Sequence, residues 1–191
     1  ILTVVNQKVA FGDGYQPCST VKIYAALAGL NEGIIDRSSG MHLYGRTYMN
    51  LTDALAKSNN PYFANIGVKL GYDKIAYYAR LYGLGEKAVL NVPEETVGTL
   101  PGGPPANGGM GMMTSFGEGI RLTPLQLSAT LAALANGGTL YHLQYPRTQA
   151  EAASFVPQVK RHIPMHRVIP EVLPGLLGAT EYGTARRAHY A

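Results

Sequence analysis

The sequence predicts an α+β protein, a sheet with an all-helical lobe beside it. Three observations carry that reading. The opening ILTVVNQKVA is rich in β-branched side chains and predicts a strand. A succession of capped, apolar-faced helical stretches follows as far as residue 135. TLYHLQY, from residue 139, then returns to strand-like composition. Strand, many helices and extended chain in that order place a helical lobe, about 34–138, inserted beside a sheet within one unit spanning 1–191. The sheet is short of strands for its class.

The elements follow in order. FGDGYQP after residue 10 is a turn, with two glycines and a proline. Ser19 to Leu30 are good helix formers, and Gly33 closes that segment. Tyr44 to Asn50 is a polar approach. Asn50 caps a short helix through LTDALAK, with Asp53 three residues on. Asn60 before Pro61 predicts the cap and first turn of the next helix, whose inward stripe is Phe63, Ile66, Gly67 and Leu70 and which ends at Gly71. YDKIAYYARLYG repeats the plan to Gly83. Residues 91–119 are crowded with glycine and proline and predict a long loop. The clearest helix is LTPLQLSATLAALANGG: Thr123 caps it, Pro124 starts it, Gln126 completes a capping box and Asn136–Gly138 stops it. A last helix spans about 170–180, with Pro174 able to kink it.

Composition narrows the function. With 46% hydrophobic residues the chain can bury a core, and 15% charged residues argue against disorder. The net charge is +4, but Lys and Arg are scattered, with no basic stripe interleaved with aromatics; no nucleic-acid partner is expected. One cysteine excludes an internal disulfide and a Cys-rich zinc site. His162 and His166 have a metal-like spacing, but Pro164 between them argues against a helix, so no metal is expected. FGEG at 116–119 lacks the Lys-Ser/Thr of a phosphate loop and the third glycine of a dinucleotide loop, so no cofactor is expected. No apolar run approaches the ~20 residues of a membrane span. Membrane contact is expected only through segments outside this chain.

The chemistry concentrates in GYQPCSTVKIYAALAGL, residues 14–30. In a helix, positions i and i+3 share a face, so Ser19 and Lys22 point the same way. Ser19 sits at the helix start, where free N–H groups and the positive dipole end favour an anion. The rest of the helix is apolar nearly all round, which makes it central and buried. Desolvation lowers a lysine's pKa, which a general base needs, and a serine hydroxyl is a poor nucleophile without one. Two other readings stand beside this one. Ser19 can be a simple cap with Lys22 reaching to the surface. Cys18, also near the helix start, can be the nucleophile, although no histidine lies near it and the i+3 lysine pairs with Ser19. Downstream, Ser58 and Asn60 lie on a turn between helices. A hydroxyl there can pass protons and an amide can orient a lysine; helix capping is the plainer use of both.

Taken together, YQPCSTVK, LTDALAKSNNPYFANIGVKLG, GEGIRLTPLQLSATLAALANGG and the closing GATEYGTARRA resemble the transpeptidase domain of penicillin-binding proteins, within the penicilloyl-serine transferase and serine β-lactamase superfamily. The resemblance implies an antiparallel sheet flanked by helices, with the active site between sheet and helical lobe. It implies a peptidoglycan D,D-transpeptidase in which Ser19 attacks D-alanyl-D-alanine, Lys22 is its base, Ser58 relays the proton to the leaving D-alanine, and Asn60 contacts the acyl chain and fixes Lys22. The implied partners are peptidoglycan stem peptides, β-lactam antibiotics that acylate Ser19, and cell-wall synthesis proteins. The implied place is the extracytoplasmic face of a bacterial cell membrane. A β-lactamase or D,D-carboxypeptidase is the nearest alternative, though no acid stands at a deacylation position. A non-catalytic β-lactam sensor or scaffold is the other. The sequence departs from the family in lacking the K-T-G triad: Gly138–Thr139 and Gly183–Thr184 do not follow a lysine. That strand supplies a cation and the second oxyanion N–H, and one such donor is worth about 2.7–4 kcal/mol. The expectation is a piece of a larger enzyme, or a sheet completed by another chain.

Overall fold

A computed structural model describes residues 1, 3–43, 45 and 47–189. The order is α1 (Gln7–Phe11), α2 (Val21–Asn31), β1 (Gly40–His42), β2 (Tyr48–Asn50), α3 (Leu51–Ala56), α4 (Asn60–Leu81), α5 (Gly109–Phe116), α6 (Pro124–Ala135), β3 (Thr139–His142), α7 (Gln149–Ala153), β4 (Gln158–His162) and α8 (Ile169–Glu181). Short 3-10 turns occupy Cys18–Thr20 and Arg186–Ala188. Strand β1 pairs antiparallel with β2, Met41 opposite Met49; β3 pairs antiparallel with β4, with a register shift between Leu140 and Tyr141. The protein is therefore α+β, with antiparallel pairing in both small sheets.

Helix α2 is the centre of the core. Ala25 to Ala28 have at most 1% exposure, and neighbouring helices pack on every side of them. Small side chains let those helices come close: a Cβ on Gly29 would lie 3.3 Å from Ile66 of α4. Tyr62, Phe63 and Ile66 fill the α4 face of the core. Helix α4 turns at Gly71, whose φ of 74° and ψ of 170° divide it into two arms. Helix α6 carries the expected capping box: the Thr123 hydroxyl accepts from the Gln126 amide at 3.1 Å and Gln126 Oε1 accepts from the Thr123 amide at 2.7 Å. Helix α8 runs through Pro174 and packs on α3, Gly175 lying against Leu55.

Several local expectations are overturned. Residues 7–11 form a helix, not the end of a strand. Asn6 Oδ1 accepts from the Val9 amide at 3.1 Å, a local cap that competes with a ladder, and β-branched residues make a strand only where a neighbour pairs with them. The cap of α4 is Asn59, whose Oδ1 accepts from the Tyr62 amide at 2.9 Å; Asn60 is already in the first turn. The 91–119 loop contains α5, bounded by left-handed Gly108 and Gly117. The polar approach to Asn50 holds β2; Tyr44 and Arg46 within it lie outside the described residues. Strand β4 and helix α7 carry too few apolar positions to announce themselves.

Candidate active site

Ser19 lies in the 3-10 turn that leads into α2, exposed, one turn before Lys22. Lys22 is only 2% exposed, the sole charged side chain in a helix otherwise packed on all sides. The turn is tight: Thr20 Oγ1 donates to the Pro17 carbonyl at 2.7 Å, and Cys18 takes a left-handed φ of 50° to start it.

Ser58 reaches the same point from α3. Helix α3 ends in a Schellman motif: the Ser58 amide donates to Leu55 O at 3.0 Å and the Asn59 amide to Ala54 O at 2.8 Å. That motif needs a left-handed residue, and Ser58 supplies it with φ 51°. The segment after α8 braces the turn, Thr184 donating its amide to Ala56 O at 3.0 Å and Tyr182 its hydroxyl to Asp53 at 3.1 Å. Asn60 follows at the start of α4, its side chain turned back toward α2.

Lys22 Nζ stands at the meeting point. It lies 3.0 Å from Ser19 Oγ, 2.8 Å from Ser58 Oγ, 2.9 Å from the Ser58 carbonyl and 2.6 Å from Asn60 Oδ1. The four side chains singled out in the sequence thus converge on one nitrogen. Burial brings the Lys22 pKa down from 10.5 to about 8. The neutral amine has two N–H groups and one lone pair. Asn60 Oδ1 and the Ser58 carbonyl only accept, so each takes one N–H. The lone pair is left facing a hydroxyl, that of Ser19 or of Ser58. Such an amine can take a proton from one hydroxyl and pass it toward the other.

The sequence did not point to α5, which touches both sides of this cluster. Phe116 lies over Lys22, its ring centre 6.0 Å from Nζ. Ser115 donates to the Asn60 carbonyl at 2.9 Å. Gln16 Nε2, two residues before Cys18, donates to Phe116 O at 3.0 Å and to Glu118 at 3.3 Å. The only forewarning was a run of apolar residues, GMMTSF, inside a glycine-rich stretch.

Cys18 is exposed and makes no side-chain hydrogen bond among the described residues; Lys22 turns to Ser19 and not to it. An open groove of about 440 Å³ lies beside the turn, lined by Val9, Tyr15, Pro17, Thr20, Leu122 and Leu127 among others. Among the described residues no three His, Cys, Asp or Glu side chains gather as metal ligands.

Comparison with known proteins agrees with this architecture. The Penicillin binding protein transpeptidase domain model matches residues 3–173. Stage V sporulation protein D of Bacillus subtilis is 26% identical over 97% of this chain and 32% of its own length. Peptidoglycan D,D-transpeptidase MrdA of Escherichia coli is 25% identical over 78% of this chain and 28% of its own. The chain therefore spans less than a third of the length of these curated relatives. Among solved structures it superposes on Pseudomonas aeruginosa PBP2 in complex with WCK 5153 with a TM-score of 0.78 at 25% identity, over 96% of this chain and 48% of that one. It also matches a chain of a peptidoglycan synthase complex, with a TM-score of 0.76 at 26% identity over 91% of this chain and 34% of that one. The chain belongs to the penicillin-binding protein transpeptidase domain family.

Proposed function

We propose that this chain carries the acylation centre of a serine D,D-transpeptidase that cross-links peptidoglycan stem peptides. The observation that carries the reading is the buried Lys22 amine, 3.0 Å from an exposed Ser19 hydroxyl and 2.8 Å from a second hydroxyl on Ser58.

In the reaction, Ser19 Oγ attacks the carbonyl carbon of the D-Ala-D-Ala peptide bond while its proton moves to the Lys22 lone pair. The anion on the carbonyl oxygen forms at the start of α2, where the helix dipole favours it. The carbon–nitrogen bond then breaks. Lys22 returns a proton through the Ser58 hydroxyl to the departing D-alanine amine, leaving an ester on Ser19. The amine of a second stem peptide attacks that ester, loses a proton by the same route reversed, and releases Ser19 with a new peptide cross-link. Asn60 holds one N–H of Lys22 so that the lone pair stays on the hydroxyls, and its amide N–H₂ is free to meet the acyl chain. A β-lactam ring enters the same first step, but its leaving nitrogen stays tethered and the ester persists. Stem peptides, β-lactams and other cell-wall synthesis proteins are the partners of this reading, on the extracytoplasmic face of a bacterial membrane. No described helix is long and apolar enough to cross a membrane.

The test is labelling by a fluorescent penicillin, followed by mass mapping of the adduct. The ester should sit on Ser19, vanish in Ser19→Ala and persist for hours. Rapid release as hydrolysed penicillin would identify a hydrolase, and label on Cys18 would overturn the assignment.

A further inference from the structure

We propose that α5 is the brace of this site: Phe116 is a positioning residue whose ring walls Lys22 off from water, held in place by tethers to both halves of the cluster. This rests on the reading of Lys22 as the base for Ser19. Helix α5 is not part of the S-x-x-K or S-x-N segments, yet it meets each of them. Its Ser115 hydroxyl holds the Asn60 carbonyl at 2.9 Å, and its Thr114 hydroxyl holds the Phe63 carbonyl one turn further along α4 at 2.9 Å. One residue on, at the same end, Gln16 ties Phe116 O to the turn that carries Ser19. Gly117 allows that approach, because a Cβ there would strike the Pro17 ring, with Pro17 Cδ at 2.8 Å. Gly67 does the same for α4: a Cβ there would come 2.7 Å from Thr114 Cγ2 and 2.9 Å from the Met110 carbonyl. The Asn60 half and the Ser19 half are thus referenced to the last turn of one short helix, and Phe116 sits where the two tethers meet.

Two opposed effects act at Phe116. A ring 6.0 Å from Nζ attracts an ammonium, which raises the lysine pKa. The same ring takes up space that water would fill, which lowers it. The Lys22 pKa is lowered with burial as the cause, and the ring lying over Nζ is part of that burial. Of the titratable side chains on the packed elements, Cys18 is on the 3-10 turn, Tyr24 on α2, Asp53 on α3, Tyr62, Lys69, Tyr72, Asp73, Lys74, Tyr77, Tyr78 and Arg80 on α4, and Glu171 and Glu181 on α8. Glu118, just past α5, faces Gln16. Lys57 at the end of α3 pairs with Asp53, and none of these side chains hydrogen-bonds Lys22.

The test compares wild type, Phe116→Ala and Phe116→Leu, with folding checked by near-ultraviolet circular dichroism. The rate constant for penicillin acylation is followed from pH 6 to 10. In the wild type its midpoint should lie near 8. Opening the wall in Phe116→Ala should move the midpoint up by at least about one unit and slow acylation at pH 7 about tenfold, since ten times less of the amine is then neutral. Phe116→Leu keeps an apolar cover and should stay close to wild type. An unmoved midpoint in folded Phe116→Ala overturns the proposal, and so does a slower rate at every pH with the midpoint fixed, which is what general loosening gives. The Lys22 pKa is also read directly, from the ε-carbon resonance in ¹³C-lysine-labelled protein assigned with Lys22→Met. If penicillin does not label the wild type, the transpeptidase reading fails, yet this resonance still judges the wall: a raised Lys22 pKa in Phe116→Ala supports it and an unchanged one refutes it. Should Phe116→Ala not fold, Phe116→Gln keeps the bulk, brings a polar group to Nζ and is judged by the same shift.

Discussion

A lysine held in the core should make the stability of the fold depend on pH in a calculable way. In the unfolded chain Lys22 titrates near its ordinary 10.5, and in the fold near 8. Below pH 8 both states hold the proton, and the fold bears the whole burial cost, about 3.4 kcal/mol at 1.36 kcal/mol per unit. Between 8 and 10.5 the unfolded chain holds a proton that the fold does not, so stability rises with pH. Integrated from pH 7 to 9.5, Lys22 alone adds about 2 kcal/mol. The perturbation is Lys22→Met, similar in length and without charge. The assay is urea unfolding of both proteins at half-unit pH steps, with the wild-type stability subtracted from that of the variant. Tyr24 and Tyr62, pushed up to about 12 by burial, are in both proteins and cancel. The advantage of the variant should shrink by about 2 kcal/mol over this range, a relative movement of the midpoints of about 1 M urea for a slope of about 2 kcal/mol/M. A difference that stays flat to within about 0.5 kcal/mol would show that Lys22 titrates as an ordinary exposed lysine. The buried-base argument would then fail with it.

Three further substitutions test the frame around the site. Cys18→Gly relieves a left-handed non-glycine residue and should leave penicillin labelling of Ser19 intact; loss of label in a folded variant would move the nucleophile to Cys18. Gly67→Ala drives a methyl group into Thr114 and should cost about 1–3 kcal/mol in a urea melt, whereas Gly102→Ala, with open space around it, should cost almost nothing. Thr123→Ala removes a fully buried cap and leaves the Gln126 amide without its acceptor, which should lower stability by about 1–2 kcal/mol and Tm by several degrees.

What was legible in the sequence were the relations that act over three or four residues. The pairing of Ser19 with Lys22, the Asn50 cap and the Thr123–Gln126 box all follow from helix geometry alone. The opening segment was misread because a strand exists only with its neighbour; among the described residues Val4 and Val5 have no strand partner, while Asn6 caps α1. Asn59 and Asn60 are chemically identical neighbours. Which one caps α4 and which one turns to Lys22 is decided by α2 lying across the turn, a contact 38 residues away in sequence. Helix α5 was hidden because glycines at 108, 109, 111 and 117 argue locally for a loop. Its stability comes from packing on α4, which no local propensity records.

The turn at Ser58 has a consequence for how such a chain can change. Its left-handed backbone suits glycine better than serine, so Ser58→Gly should fold at least as well. Thermostability screening of random variants would therefore favour loss of this hydroxyl, and only a screen that reads the acyl-enzyme would retain it. Under the relay role proposed for Ser58, improvement of the fold and improvement of the catalyst run in opposite directions at this position, and a stabilised lineage drifts toward a shell that folds well and no longer transfers protons.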